Sequence, residues 1–193
     1  MTWTLDPAHS SVTFSAKHMM VTTVRGSMKI RDFDLEADLE HPERSNVRVR
    51  LDAASIDTGQ EARDQHLRSV DFLGAEAFPT IDFVSRRIVR GGEVAGELHG
   101  DLTIRGVTRP VVLEAEFDGI VPNMQGGQRA AFHARTRINR EDFGLTWNVA
   151  LETGGVLVGK EIKVEIDLAV VSAVEAVEAT ESIERQTAGA LSA

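Results

Sequence analysis

The chain has 193 residues, 21 basic against 30 acidic side chains, a net charge of −9, and neither cysteine nor tyrosine. That length suits one domain of ordinary size, and the lack of cysteine excludes disulfides, thiolate metal sites and cysteine nucleophiles. So acidic a chain is a poor general nucleic-acid binder, and no run approaches the roughly 18 apolar residues that span a bilayer.

The dominant period along the chain is two. Residues 1–10 carry no basic or apolar leader, so a cytoplasmic protein is expected. Val12, Phe14, Ala16 and His18 then alternate with Thr13, Ser15 and Lys17. Met28 and Ile30 mark another strand, and Phe33, Leu35, Ala37 and Leu39 the next. Val47, Val49 and Leu51 alternate with Arg48, Arg50 and Asp52. Side chains on a strand point to opposite faces in turn, so each segment reads as a half-buried strand.

One segment breaks this period. Thr58-Gly59-Gln60-Glu61 has the residues of a capping box, and Gln60 to Ser69 holds good helix formers. Asp71 is placed to cap a further short turn through Ala77, which Phe78-Pro79 stops. Strands resume at Ile81 and Phe83, then at Val94 to Ile104, Val111 to Phe117, Ala130 to Ile138 and Ile162 to Val170. Arg90-Gly91-Gly92-Glu93 and Arg105-Gly106-Val107-Thr108 read as hairpin turns between them.

Short connections imply antiparallel neighbours, because a parallel crossover needs a dozen or more residues. The expectation is an all-β domain of about eight or nine strands with one helical insertion, closed or stacked to hide its apolar face. The domain is assigned to 1–172, and the Ala- and Glu-rich stretch 173–193 to a solvated tail.

Chemical motifs are few. Gly154 to Lys160 has the spacing of a phosphate-binding loop, but Glu161 follows where Ser or Thr should stand, and a strand follows where a helix should. A glycine-containing turn is the better reading. No G-x-S-x-G elbow is present, and the six histidines form neither an H-x-H pair nor H-E-x-x-H, so neither catalytic residues nor a metal site is assigned. His18 continues the inward register of its strand. Arg63 and His66 lie three apart on one helix face, where Arg63 either pairs with a carboxylate or meets a ligand at the barrel rim. Arginine outnumbers lysine 17 to 4, which suits an anionic head group.

Five groups of residues carry a resemblance. They are Trp3 to Phe14 with His18 and Val24-Arg25-Gly26; Ile56-Asp57-Thr58-Gly59 with Arg63 to Phe72; Phe78 to Phe83; Gly100 to Thr108; and Asn139 to Leu145 with Val158 to Ile162. In this order they resemble the YceI-like family of lipid-binding proteins. The resemblance covers nearly all of 1–171 and none of the tail. Lys160 departs from it, standing where an acidic residue often follows Val-Gly.

The resemblance implies a lipocalin-like extended antiparallel β-barrel whose apolar cavity holds a long isoprenoid chain, such as a polyprenyl lipid or a quinone tail. The expected function is non-enzymatic carriage, storage or sensing of that lipid, with no catalytic cofactor. Candidates for the tail are Phe14, Ala16, His18, Met28, Ile30, Leu51, Phe72, Phe83, Leu102, Phe117, Phe132, Ile138, Phe143 and Trp147. Candidates for the head group are His18, Arg63, His66 and Arg140. Gly96, Gly100, Ala115, Ala130 and Ala134 are expected where the cavity has room, or else where strands approach closely. Two alternatives belong to other classes: an enzyme using His18 or His66 as acid/base on a lipid head group, and a stress-response interaction module. Transient membrane contact and a homodimer through exposed strand edges fit the same reading.

Overall fold

The computed structural model describes residues 3–38, 41–124, 126–152 and 154–172. The tail expected at 173–193 lies outside the described residues. Ten strands and one α-helix follow in chain order. They are β1 (Trp3–Leu5), β2 (Ser11–His18), β3 (Thr22–Met28), β4 (Ile30–Glu36), β5 (Asn46–Asp52), α1 (Glu61–Arg68), β6 (Thr80–Arg90), β7 (Ala95–Ile104), β8 (Val107–Pro122), β9 (Gln128–Asn139) and β10 (Val158–Ser172).

All pairings are antiparallel, in the order β3-β2-β10-β9-β8-β7-β6-β5-β4, with β1 continuing the β2 edge of β10. The two outermost strands, β3 and β4, are consecutive in the chain and joined through Lys29. The sheet therefore curls until its two edge strands are joined at one residue, and the expected barrel is formed as a half-barrel, with no β3–β4 ladder among the described residues. The strand beyond the expected number is β1, too short for an alternation to register. The single strand expected at Met28 and Ile30 is corrected: Met28 ends β3, whose run Thr22 to Ser27 is polar apart from Val24, and Ile30 begins β4.

Register follows the hydrophobic pattern, as it must where one face is buried. On β9, Ala130, Ala134 and Ile138 face inward and meet Val170, Ile166 and Ile162 of β10. Outward arginines pair with acids on neighbouring strands: Arg135 with Glu114 at 2.8 Å, and Arg50 with Asp82 at 2.7 Å. Exposed pairs of this kind contribute little stability each.

The interior is layered along the strands. At one end Trp3, Ala130 and Val170 are buried, with Phe33, Leu35, Phe117 and Phe132 packed against them. In the middle lie Phe83, Leu113 and Ala134. At the α1 end Ile56, Phe72, Leu73, Ile81, Ile104, Phe143 and Leu145 form the largest cluster.

Two local expectations are corrected. The N-cap of α1 is Gln60, whose side chain accepts from the Arg63 N–H at 2.8 Å, not Thr58. Thr58 instead donates its N–H and its hydroxyl to Asp64, and Glu61 accepts from Arg68 at 3.2 Å. Asp71 caps no second helix. The segment after α1 is a series of turns, and the Asp71 carboxylate bonds the His66 ring at 3.0 Å. The loop that mimics a phosphate-binding motif is a turn through Gly154 and Gly155, both at positive φ, leading into β10.

Candidate functional site

The curled sheet encloses a cavity of about 350 Å³. That volume falls in the usual range for small-molecule sites, roughly 300–1,000 Å³. Its walls come from β2, β3, β5, β6, β7, β8, β9 and β10, and its α1 end is bordered by α1 and by Arg140, Leu145, Trp147, Leu157 and Val158. Of the lining residues the exposed one is Lys17, at the end of β2, so the cavity opens there.

Most of the expected tail residues line this cavity: Phe14, Ala16, His18, Met28, Leu51, Phe72, Phe83, Leu102, Ile138 and Trp147. Four do not. Phe117 and Phe132 stack with ring centroids 5.2 Å apart in the cluster around Trp3. Phe143 is 2% exposed and serves as packing at the α1 end. Ile30 stands at the start of β4, beyond the bend that joins the two sheet edges. Inward register thus does not distinguish a wall from a plug.

The expectation of room at small residues is also corrected. A Cβ on Gly100 would lie 2.5 Å from the Phe83 ring, and one on Gly96 would lie 2.7 Å from the Val89 carbonyl oxygen. Ala130 is buried in the Trp3 cluster and Ala115 packs beside Leu113. Of the five, Ala134 alone lines the cavity. Close approach of neighbours selects the small residues here.

Sequence reasoning passed over several walls. Ile162, Val164, Ile166 and Leu168 of β10 line the cavity, as do Val47 and Val49 of β5. The signal was the same alternation already used for β2 and β9. Lys17 was read as outward because it is out of phase with Phe14 and Ala16. At a strand end beside an opening, phase no longer decides exposure.

The ionisable side chains of the lining are all basic, Lys17, His18, Arg63, His66 and Arg140, with no Asp or Glu among the lining residues. All five belong to the α1 end. His18 pairs in register with Val158, and Arg140 donates to the Val158 carbonyl at 3.3 Å. His66 stands edge-on to Trp147, with centroids 4.5 Å apart, and to Phe72 at 5.1 Å. Beside Trp147, Asn148 accepts from the Val158 N–H at 3.0 Å and donates to its carbonyl at 2.8 Å.

Each group is held differently. Arg63 donates to the Thr58 hydroxyl at 2.7 Å and the Thr58 carbonyl at 2.9 Å. Its link to a carboxylate is indirect, through Thr58 to Asp64. Arg140 is 3% exposed. It donates to the carbonyls of Leu145, Val158 and Gly159, and these bonds tie those three residues to the end of β9. Burial pushes its guanidinium pKa below the ordinary value, partly opposed by the nearby Glu141. The three bonds engage three of its five N–H donors, and the residue borders the cavity. No cluster of three metal-ligating side chains occurs among the described residues, and none of their helices is long and apolar enough to cross a membrane.

An apolar chamber with basic side chains gathered at its open end suits an amphiphile with a long apolar part and an electron-rich head. Known proteins place the chain in context. Two UPF0312 proteins of Staphylococcus aureus, from strains MSSA476 and MW2, are each 40% identical over 164 residues, covering 84% of this chain and 93% of theirs. Among solved structures, Burkholderia cenocepacia BcnA superposes with a TM-score of 0.72 at 23% identity, covering 86% of this chain and 99% of that one. A polyisoprenoid binding domain from Saccharophagus degradans superposes with a TM-score of 0.60 at 12% identity, covering 90% of this chain and 99% of that one. The YceI-like domain profile matches residues 3–170. The chain belongs to the YceI-like family.

Proposed function

We propose that the protein binds a long-chain isoprenoid lipid, of polyprenyl or quinone type, as a carrier, store or sensor and without catalysis. The observation that carries this reading is the division of the cavity lining into apolar walls and a basic opening with no acid. Burying an isoprenoid tail would contribute about 25 cal/mol per Å² removed from water, less the cost of ordering the chain. Lys17, His18, Arg63, His66 and the spare donors of Arg140 would meet an electron-rich head. The polyisoprenoid named for the Saccharophagus degradans domain, which shares the fold, agrees with this ligand class.

The test is a titration of delipidated protein with polyprenyl phosphate, read through Trp147 fluorescence with Trp147→Phe as control. Saturable quenching supports the proposal. A flat response, with no ligand retained in native mass spectrometry, overturns it. The acid–base alternative would rest on His66, whose ring bonds Asp71 at the cavity end. It requires turnover of a prenyl substrate that His66→Ala abolishes while binding persists.

A further inference from the structure

The turn between β2 and β3 is built against local preference. Met19, Met20 and Val21 fill it, and all three are exposed, Val21 to 77%. Met19 and Met20 have φ of 51° and 65°. Left-handed backbone of this kind ordinarily selects Gly, Asn or Asp, because a Cβ crowds the following carbonyl. An apolar, strained tip is disfavoured both by conformation and by solvation, and such strain concentrates at functional sites.

Its position is equally specific. The tip follows directly on Lys17 and His18, which line the cavity at its opening. The Met19 N–H donates to the Leu157 carbonyl at 2.7 Å, and Leu157 lines the same opening. Met20 packs over Gly155, and Val149, 46% exposed, accepts from the Leu157 N–H on the adjoining loop. An apolar rim therefore borders the opening.

Charge is arranged around it. From Pro7 to Arg31 the chain contains no Asp or Glu, although the whole chain carries −9. Lys17, Arg25 and Lys29 are exposed in this stretch, and none of them forms an ion pair among the described residues. The acids nearest on β10 and the adjoining 3-10 turn are already matched, Glu161 with Arg137 and Glu141 with Lys160. Glu152 is the one acid on the loop beside Gly155. A locally cationic hairpin with an apolar tip, on an otherwise acidic protein, is complementary to an anionic lipid surface.

We propose that the β2–β3 hairpin is a membrane-docking tip, which inserts Met19, Met20 and Val21 among the head groups of an anionic phospholipid bilayer. Docking there sets the cavity opening against the phase in which an isoprenoid dissolves, so the proposal rests in part on the lipid-binding reading. Lys17 and Arg25 supply attraction, Lys29 lying at the far end of β3, and the apolar tip supplies burial. Salt weakens the first of these and not the second.

The experiment is vesicle flotation with the full chain. One set of vesicles is pure phosphatidylcholine and the other contains one part phosphatidylglycerol to three parts phosphatidylcholine. Wild-type protein should float with the anionic vesicles and not with the neutral ones. Met19→Ser/Met20→Ser/Val21→Ser should reduce the bound fraction about tenfold, and Lys17→Glu/Arg25→Glu by a similar factor. Circular dichroism identifies any variant that fails to fold, and the charge pair, lying outside the turn, then carries the test. Absence of wild-type flotation, or equal flotation of wild type and both variants, overturns the proposal. So does a dimer that the tip substitutions convert to a monomer, which would assign the tip to a second copy of the chain. Uptake of polyprenyl phosphate by protein that does not float leaves the cavity reading standing and removes the docking tip. Flotation without uptake does the reverse.

Discussion

The carboxylate of Asp64 accepts from both the N–H and the hydroxyl of Thr58, at 3.0 and 2.5 Å, and the same hydroxyl accepts from the side chain of Arg63. Asp64 is 4% exposed. A buried carboxylate is thus satisfied locally, and through Thr58 it fixes an arginine that lines the cavity. Asp64→Ala should lower unfolding free energy by about 2–3 kcal/mol, because it leaves buried donors without an acceptor. Thr58→Val removes the relay to Arg63 as well as one donor, and should weaken binding of an anionic prenyl lipid. Urea denaturation reads the first effect, and Trp147 quenching reads the second.

Arg140 donates to three carbonyls, of which that of Val158 also accepts from Asn148. Arg140→Met keeps much of the apolar volume but removes the side-chain donor of the Leu145 and Gly159 carbonyls. The expected loss is about 3 kcal/mol, with faster hydrogen exchange in the segment 145–159. Arg140→Lys should recover a minor part, since one ammonium cannot span the acceptors that a planar fork reaches.

Gly26 and Gly100 lie under aromatic rings on neighbouring strands. A Cβ would sit 2.6 Å from Phe14 at the first and 2.5 Å from Phe83 at the second, with backbone oxygens almost as near. Either Gly→Ala substitution should destabilise by about 1–3 kcal/mol despite the better strand propensity of Ala. Gly100→Ala with Phe83→Leu should recover part of the loss. An unchanged melting temperature in both single variants would contradict the close approach.

Wall and plug can be separated by paired substitutions. Val164→Trp places bulk in the cavity and should abolish lipid uptake while the protein still folds. Phe132→Ala acts in the cluster around Trp3, outside the lining. It should cost about 2 kcal/mol for a half-buried ring while uptake persists. Native mass spectrometry beside thermal melting checks both.

Two titrating groups give opposite pH dependence. The hydrogen bond to Asp167 raises the His133 pKa above its ordinary value, although burial opposes it. The stability this contributes is complete below about pH 6.5 and is lost as pH rises through the folded-state value. Burial tends to raise the Asp6 carboxyl, but hydrogen bonds from His9 and Arg129 outweigh it and hold the group below its ordinary value. That contribution is complete above about pH 4 and is lost as pH falls through the folded-state value. Asp167→Asn should flatten the melting temperature above neutrality, and Asp6→Asn should flatten the acid limb. The His133 pair is largely exposed, so its effect should be about one or two degrees.

Much of the barrel could be read from period two, because a half-buried strand writes its register into the sequence. Phe14, Leu51, Leu102 and Ile138 were legible as inward for that reason. What period two cannot encode is depth along the barrel. Phe83 and Phe132 share the inward phase, yet one lines the chamber and the other fills its far end. Gly100 looked like empty space until the ring of the partner strand was placed over it. The N-cap was misread because Thr58 and Gln60 both offer an acceptor, and only the buried Asp64 decides which one is engaged elsewhere. Arg63 and His66 were legible from their spacing on one helix face, and Arg140 from the family motifs. Their convergence on one opening depends on the placement of residues 145–152 and 154–158, which carry no periodic signal.

The most direct test of the central claim is the content of the cavity itself. Protein purified without detergent is extracted with organic solvent and the extract analysed by mass spectrometry, beside native mass spectrometry of the intact protein. The account predicts a prenyl lipid in the extract and a matching mass increment on the wild type, absent from Val164→Trp. Wild-type protein that is reproducibly empty, and that takes up no polyprenyl phosphate when offered it, would contradict the account.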